Sequence, residues 1–157
     1  MPTATLPRRR VVRLLLLAAT LAGGVLASIT TSPPPAHAAS AEGGQITRSE
    51  VLARAANWYS RNPINYDSSG ATTLSDVDGT GYYRPDCSGF VSMAWHASDS
   101  GGGYNTASLP SVAHTIAKAD LQPGDALIIT ATIDDSYHHH VVLFEAWQSD
   151  HAHFSYY

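Results

Sequence analysis

Cysteine is almost absent from this sequence, which carries Cys87 alone in 157 residues. A single cysteine cannot form a disulfide within its own chain, so the class of small exported proteins held together by internal disulfides is excluded. Cys87 is therefore a small buried side chain, a link to another molecule or a reactive thiol.

Basic residues are scarce as well, with nine Lys and Arg against 13 Asp and Glu. Four of the nine, all arginines, lie within positions 8–13, and every acid lies later. Removal of the first 38 residues therefore leaves a balance of 5 − 13 = −8. A surface of that charge repels phosphate backbones and anionic lipids. We expect no nucleic-acid partner and no stable membrane insertion once the leader is removed.

Long hydrophobic runs are missing apart from one at 14–29, which is interrupted by Gly23 and Gly24. A spanning helix needs about 20 apolar residues in succession. The arginines, this run and the Ala-His-Ala triplet at 36–38 follow the order of a secretory signal peptide, with Sec and twin-arginine export both open. We expect a signal peptide at 1–38, a flexible linker at 39–45 and one domain at 46–157.

Within the domain, helical patterns come first and strand patterns last. Residues 47–50 (Thr-Arg-Ser-Glu) match a capping box before apolar residues at helical spacing, and a second helix is predicted at 86–96. Segments rich in β-branched and aromatic residues follow at 126–129, 141–147 and 151–157. This order predicts the α+β class, with N-terminal helices packed on a small antiparallel sheet.

The segment between the two helices, 65–85, is rich in Gly, Ser and Asp and predicts a long surface loop. Residues 76–80 (Asp-Val-Asp-Gly-Thr) carry part of a calcium-loop pattern but lack the remaining ligands and the final Glu. We interpret them as a solvated turn.

Cys87 directly follows Asp86, a good helix cap, so the thiol is expected in the first turn of a helix. The positive end of the helix dipole and the unpaired N–H groups there favour a thiolate nucleophile and could stabilise an oxyanion. Gly89 would leave room for a substrate backbone to approach.

A cysteine hydrolase also needs a base within hydrogen-bond reach, and three consecutive histidines at 138–140 open the strand at 141–144. Strand alternation puts His139 and His140 on opposite faces, and periodicity leaves the choice between them open. The same alternation disfavours a competing metal site built from this run with His151 and His153, because neighbouring ligands would diverge.

Three segments resemble, in order, motifs of the NlpC-type cell-wall cysteine peptidases. Residues 86–91 (Asp-Cys-Ser-Gly-Phe-Val) resemble the nucleophile motif, 121–127 (Leu-Gln-Pro-Gly-Asp-Ala-Leu) the start of a strand, and 140–144 (His-Val-Val-Leu-Phe) the catalytic histidine strand. The resemblance covers 46–144 and implies a papain-like fold. It also implies a secreted, wall-associated monomer that hydrolyses peptide-stem amides of peptidoglycan without a metal or organic cofactor.

Carried over residue by residue, the resemblance implies that Cys87 is the nucleophile and His140 the general base. Tyr66 resembles the family tyrosine that supports the oxyanion site. Tyr82 and Tyr83 remain rivals, because the spacing from Tyr66 to Cys87 is longer than usual.

The family also places a polar residue on the next strand to orient the histidine. A hairpin that turns at 149–150 puts the partner of His140 near position 159, beyond Tyr157, so the C-terminal part of the fold is expected to be missing. His153 fills the orienting role only in another register. Two alternatives therefore stay open: a related amidase or transferase, and a catalytically weak or inactive secreted binding module of the same fold.

Overall fold

The structure is a computed structural model that describes residues 39–61, 64–133 and 136–157. The predicted signal peptide at 1–38 lies outside the described residues. Within the described part of the chain, no helix combines the length and the apolar character that crossing a membrane requires.

Two α-helices lie where the capping patterns predict them. α1 spans Arg48–Ser60 and begins at Thr47, whose hydroxyl accepts a first-turn backbone N–H (3.2 Å). α2 spans Cys87–Ala94 and begins at Asp86, whose carboxylate accepts a first-turn N–H at 2.6 Å. A polar side chain at this position satisfies a donor that the helix leaves unpaired, so both helix starts follow from the local sequence.

The β structure of the described residues consists of β1 (Leu74–Ser75), β2 (Tyr82–Tyr83), β3 (Ala126–Ile133), β4 (Ser136–Trp147) and β5 (Phe154–Tyr156). β1 and β2 form a small antiparallel sheet between the two helices, and a second antiparallel sheet has the order β3-β4-β5. The connection from α2 to β3 contains the 3-10 helices Ser100–Gly102, Leu109–Val112 and Lys118–Asp120. Helices precede an antiparallel meander, so the chain is an α+β protein, as its sequence predicts.

The core lies between the two helices and β4. Val91 of α2 is buried together with Ala55 and Trp58 of α1 and with Val141 and Leu143 of β4. Because alternate residues of a strand face opposite sides, Val141 and Leu143 identify the face of β4 that lies against α2. This face decides which histidine side chain approaches the start of α2.

The segment predicted as a flexible linker is bound to the domain. The backbone N–H and the hydroxyl of Ser40 both donate to the Glu50 carboxylate (2.9 and 2.7 Å). The Gly43 N–H donates to the His96 carbonyl at 2.7 Å. These bonds cross from the segment to α1 and to the end of α2, so the prediction of a flexible linker at 39–45 is wrong for residues 40–43.

The predicted solvated turn at 76–80 is instead anchored by a buried ion pair. Asp76 is 1% exposed and Arg54 of α1 is 3% exposed, and the guanidinium donates to the Asp76 carboxylate at 3.0 Å. Arg54 also donates to the Asp78 carboxylate (2.6 Å) and to the Met93 carbonyl (2.9 Å). A single arginine therefore ties α1 to this turn and to the last turn of α2.

Candidate functional site

Cys87 is the first residue of α2, and Asp86 organises the helix start around it. The Asp86 carboxylate accepts from the Gly89 N–H (2.6 Å), from the Ser88 hydroxyl (2.9 Å) and from the Arg84 guanidinium (2.8 Å). Among the described residues, no backbone acceptor takes the N–H of Cys87 or of Ser88, and the Cys87 N–H faces the Tyr66 oxygen. The Ser88 N–H therefore remains free at the positive end of the helix dipole beside the thiol.

A pocket of ≈ 380 Å³ opens beside the Cys87 side chain, which is itself partly exposed. Tyr66 and His139 enter it from the loop after α1 and from β4. Its remaining lining comes from the helix start and two loops: Ser68, Asp86, Ser88, Asn105, Thr106 and Ala107. A thiol, an imidazole and a phenol thus share one small cavity.

Tyr66 is the tyrosine that lies next to the thiol, in agreement with its predicted position. Its hydroxyl is 3.9 Å from Cys87 Sγ and in a geometry to donate to it. Burial, together with the hydrogen bond to and the charge of Cys87, raises the pKa of Tyr66 above its ordinary value of 10.0. The rivals lie elsewhere, because Tyr83 is buried with its hydroxyl donating to the Ala97 carbonyl (2.6 Å) and Tyr82 is half exposed outside the pocket.

The histidine that lines the pocket is His139, whereas His140, the base that the resemblance implies, is not among the lining residues. His139 shares a face of β4 with Val141 and Leu143, which pack against α2. His140 shares the other face with Phe144, whose ring contacts the rings of Trp147 and Phe154. Alternation left both histidines open, and the resemblance selected the one that the sheet turns away from Cys87.

The structure places His153 away from both His139 and His140. Its carbonyl accepts from the Gln148 N–H (2.8 Å), which puts it at the hairpin turn, nine residues along β4 from His139. At the rise of a strand this separation is about 25–30 Å. The His153 ring, 72% exposed, is bound to the Asp150 carboxylate instead (2.6 Å).

Thr106 is a pocket residue for which the sequence offers no signal. Its side chain is 6% exposed, and its Oγ1 lies 3.9 Å from Cys87 Sγ. It follows an irregular segment whose carbonyls at Gly101, Gly103 and Tyr104 all accept from the Arg84 guanidinium at 2.9 Å. Since Arg84 also bonds the helix cap, it joins the two sides of the pocket, and neither residue belongs to a recognisable motif.

Gly89 serves the packing of the protein itself rather than the approach of a substrate, which corrects the sequence interpretation. A Cβ at this position would overlap the Arg84 carbonyl oxygen. The absence of a side chain therefore lets the segment before α2 lie directly against the first turn of the helix.

One group of side chains has the proximity of a metal site. Ligand atoms of Asp76, Asp78 and His96 lie within 4.8 Å of one another. The Arg54 guanidinium already donates to both carboxylates, at 3.0 and 2.6 Å. A metal ion would face this positive charge at close range, so the cluster as arranged does not fit a cation site.

Only the pocket beside Cys87 thus combines a nucleophile, a potential base and a free backbone donor among the described residues. Comparison of the chain with protein-family models, with curated proteins and with solved structures found no match.

Proposed function

We propose that this protein is an exported cysteine hydrolase that cleaves peptide-stem amides of peptidoglycan, with Cys87 as nucleophile and His139 as general base. The observation that carries the proposal is the shared pocket at the start of α2, which holds the thiol, the imidazole and the Tyr66 hydroxyl. A papain-like arrangement, with the thiol on a helix and the base on the adjoining sheet, belongs to the same proposal.

The chemistry follows from these groups. The His139 imidazole takes the proton of the thiol, and the sulfur attacks the carbonyl carbon of the amide. The negative oxygen of the tetrahedral intermediate accepts a hydrogen bond from the free N–H group of Ser88, with the Tyr66 hydroxyl as a further donor. Imidazolium then gives its proton to the departing amine as the C–N bond breaks, which leaves a thioester on Cys87.

Water completes the cycle. His139 accepts a proton from the water molecule as its oxygen attacks the thioester carbonyl, and the C–S bond breaks to release a carboxylic acid. The thiol then recovers its proton from the imidazolium. No oxidant or reductant is needed at any step.

The direct test compares the exported protein with a Cys87→Ala variant on purified cell walls. We expect soluble muropeptides to appear with the first protein alone, detected by chromatography and mass spectrometry. Equal release by both proteins would reject the proposal, since the reaction would then not depend on the thiol.

The products also separate the related chemistries. A new amino terminus matched by a new carboxylate indicates hydrolysis. A new amide to an added amine would indicate acyl transfer from the same thioester. An intact wall with bound protein would indicate a non-catalytic binding module.

A further inference from the structure

β3 lies at the edge of its sheet, and no strand of the described residues pairs with its outer side. In an antiparallel sheet, successive residues of a strand direct their backbone hydrogen bonds alternately toward the neighbouring strand on one side and toward the other side. Leu143 exchanges both backbone bonds with Tyr157 (3.1 and 3.0 Å), away from β3. Its partner Ala126 therefore directs its N–H and C=O outward, and by alternation so do Ile128 and Thr130.

A groove of ≈ 1150 Å³ follows this open edge. It is lined by the three outward-bonding residues of β3, by the rings of Trp95 and Tyr104 and by the segment 112–118, which is exposed throughout. No backbone hydrogen bond joins that segment to β3 in the described chain. The groove thus offers unpaired strand backbone beside apolar and aromatic surface.

The groove is positive in an otherwise acidic domain. Two of its charged side chains, Arg48 and Asp125, neutralise each other at 2.7 Å. The Lys118 ammonium lies 5.3 Å from the Trp147 ring and is in no ion pair with a described residue. Because residues 39–157 carry a balance of 5 − 13 = −8, this free cation is a local exception that suits a carboxylate.

The end of the groove opposite Lys118 lies next to the candidate site. Thr130, which lines the groove, is the cross-strand partner of His139, which lines the Cys87 pocket. Tyr104 lines the groove, and the next two residues, Asn105 and Thr106, line the pocket. The two cavities are therefore neighbours across the β3–β4 pair and along the same loop.

We infer that the groove binds an extended peptide of about five residues as an additional antiparallel strand on β3, its carboxylate at Lys118 and its amino end toward Cys87. Positions 126–130 offer three outward backbone pairs over about 14 Å of strand. That this peptide is part of the substrate rests on the proposed function, and it would then lie on the amine side of the cleaved bond.

Binding is tested with the exported Cys87→Ala protein and the peptide Val-Thr-Val-Thr-Val, labelled at its amino end and carrying a free carboxylate. Fluorescence anisotropy gives the affinity. Two isomers, each with one methylated backbone nitrogen, at the first threonine in one and at the central valine in the other, remove donors from opposite edges of the strand. We expect one isomer to bind like the parent and the other about tenfold or more weakly, because it loses a bond to β3.

Two protein variants locate the site. Thr130→Pro removes an outward N–H and should abolish binding, whereas Thr130→Ala should bind like the parent protein. Thermal unfolding verifies that both variants fold. Replacement of the peptide carboxylate by a carboxamide should weaken binding by about threefold, and Lys118→Met should remove that difference.

The inference is overturned if the parent peptide does not bind, or if the two methylated isomers bind alike. Dimerisation of the free protein through β3, seen by sedimentation and disrupted by Thr130→Pro, would also overturn it by assigning the edge to a second copy. Peptide binding by Cys87→Ala, together with equal release of muropeptides from cell walls by this variant and the unaltered protein, would reject the proposed function and leave the groove assignment standing.

Discussion

At the scale of single residues, the site depends on which face of a strand a side chain occupies. The cysteine was predictable, because Asp86 is a strong helix cap and the residue that follows a cap begins the helix. Which histidine lines the pocket was not predictable, because alternation separates His139 from His140 without saying which face of β4 lies against α2. That information lies in Val141 and Leu143, whose burial against the helix belongs to the tertiary structure.

Tyr66 gives a prediction at this scale. Because its pKa is raised above 10.0, the hydroxyl keeps its proton and remains a donor throughout the neutral and mildly alkaline range. Tyr66→Phe should lower kcat/KM by up to about 10²-fold, the loss expected for one oxyanion donor. The ratio of the two rates should stay constant from pH 7 to 9 in steady-state assays.

Tyr82→Phe is the matched control, since this side chain lies outside the pocket and should leave kcat/KM unchanged. A Tyr66→Phe variant with full activity would remove the hydroxyl from the mechanism. A rate ratio that falls steadily above pH 7 would contradict the raised pKa.

At the scale of elements, the helices and loops are held together by close contacts between residues that belong to no sequence motif. The capping patterns predicted where α1 and α2 begin, because caps are local. The contacts of Arg84 and Arg54 join residues distant in sequence, so they could not be read from spacing. The hairpin register was equally hidden, because it depends on a turn that includes His151 with a positive φ of 51°.

Gly89→Ala should destabilise the fold by about 1–3 kcal/mol, because the added methyl group would overlap the Arg84 carbonyl oxygen. Urea denaturation followed by circular dichroism measures the change in the free energy of unfolding. An unchanged urea midpoint would contradict this prediction, because it would show that the segment before α2 moves to accommodate the methyl group without a loss of stability.

Asp76→Asn should destabilise the protein by about 2–3 kcal/mol, because it leaves the buried Arg54 guanidinium with only the partly exposed Asp78 carboxylate as its counter-charge. Asp78→Asn is the control. Its carboxylate also binds Arg54 but is 38% exposed, so water can compensate and the loss should be clearly smaller. Equal losses of unfolding free energy in the two variants, measured by urea denaturation, would contradict a larger contribution of Asp76 to stability.

The same pair predicts the response to acid. Burial alone would raise the pKa of Asp76, but the hydrogen bonds from Arg54 and from backbone N–H groups lower it below 3.8. A lowered folded-state pKa contributes stability that is present above pH 3.8 and is lost as the pH falls through the folded value. Below pH 3.8, the unaltered protein should therefore lose its stability advantage over Asp76→Asn.

At the scale of the whole molecule, the sequence predicted an α+β chain with Cys87 at a helix start, and the structure agrees with both. Ser40 and Gly43 are bound to the domain, so the expected cleavage after Ala38 would fall just outside the anchored segment. Secretion from a bacterial host should yield a protein that begins at Ala39, as read by intact mass. Retention of the leader in the exported protein would contradict the signal-peptide prediction.

The pairing of Cys87 with His139 is tested most directly by the rate at which chloroacetamide alkylates the thiol, measured at pH 7 without any substrate. His139→Ala should slow alkylation by about tenfold, because the thiol loses the imidazole that takes its proton. His140→Ala, the adjacent substitution on the opposite face of β4, should react at the unaltered rate. Slow alkylation in His140→Ala together with an unchanged rate in His139→Ala would contradict the account.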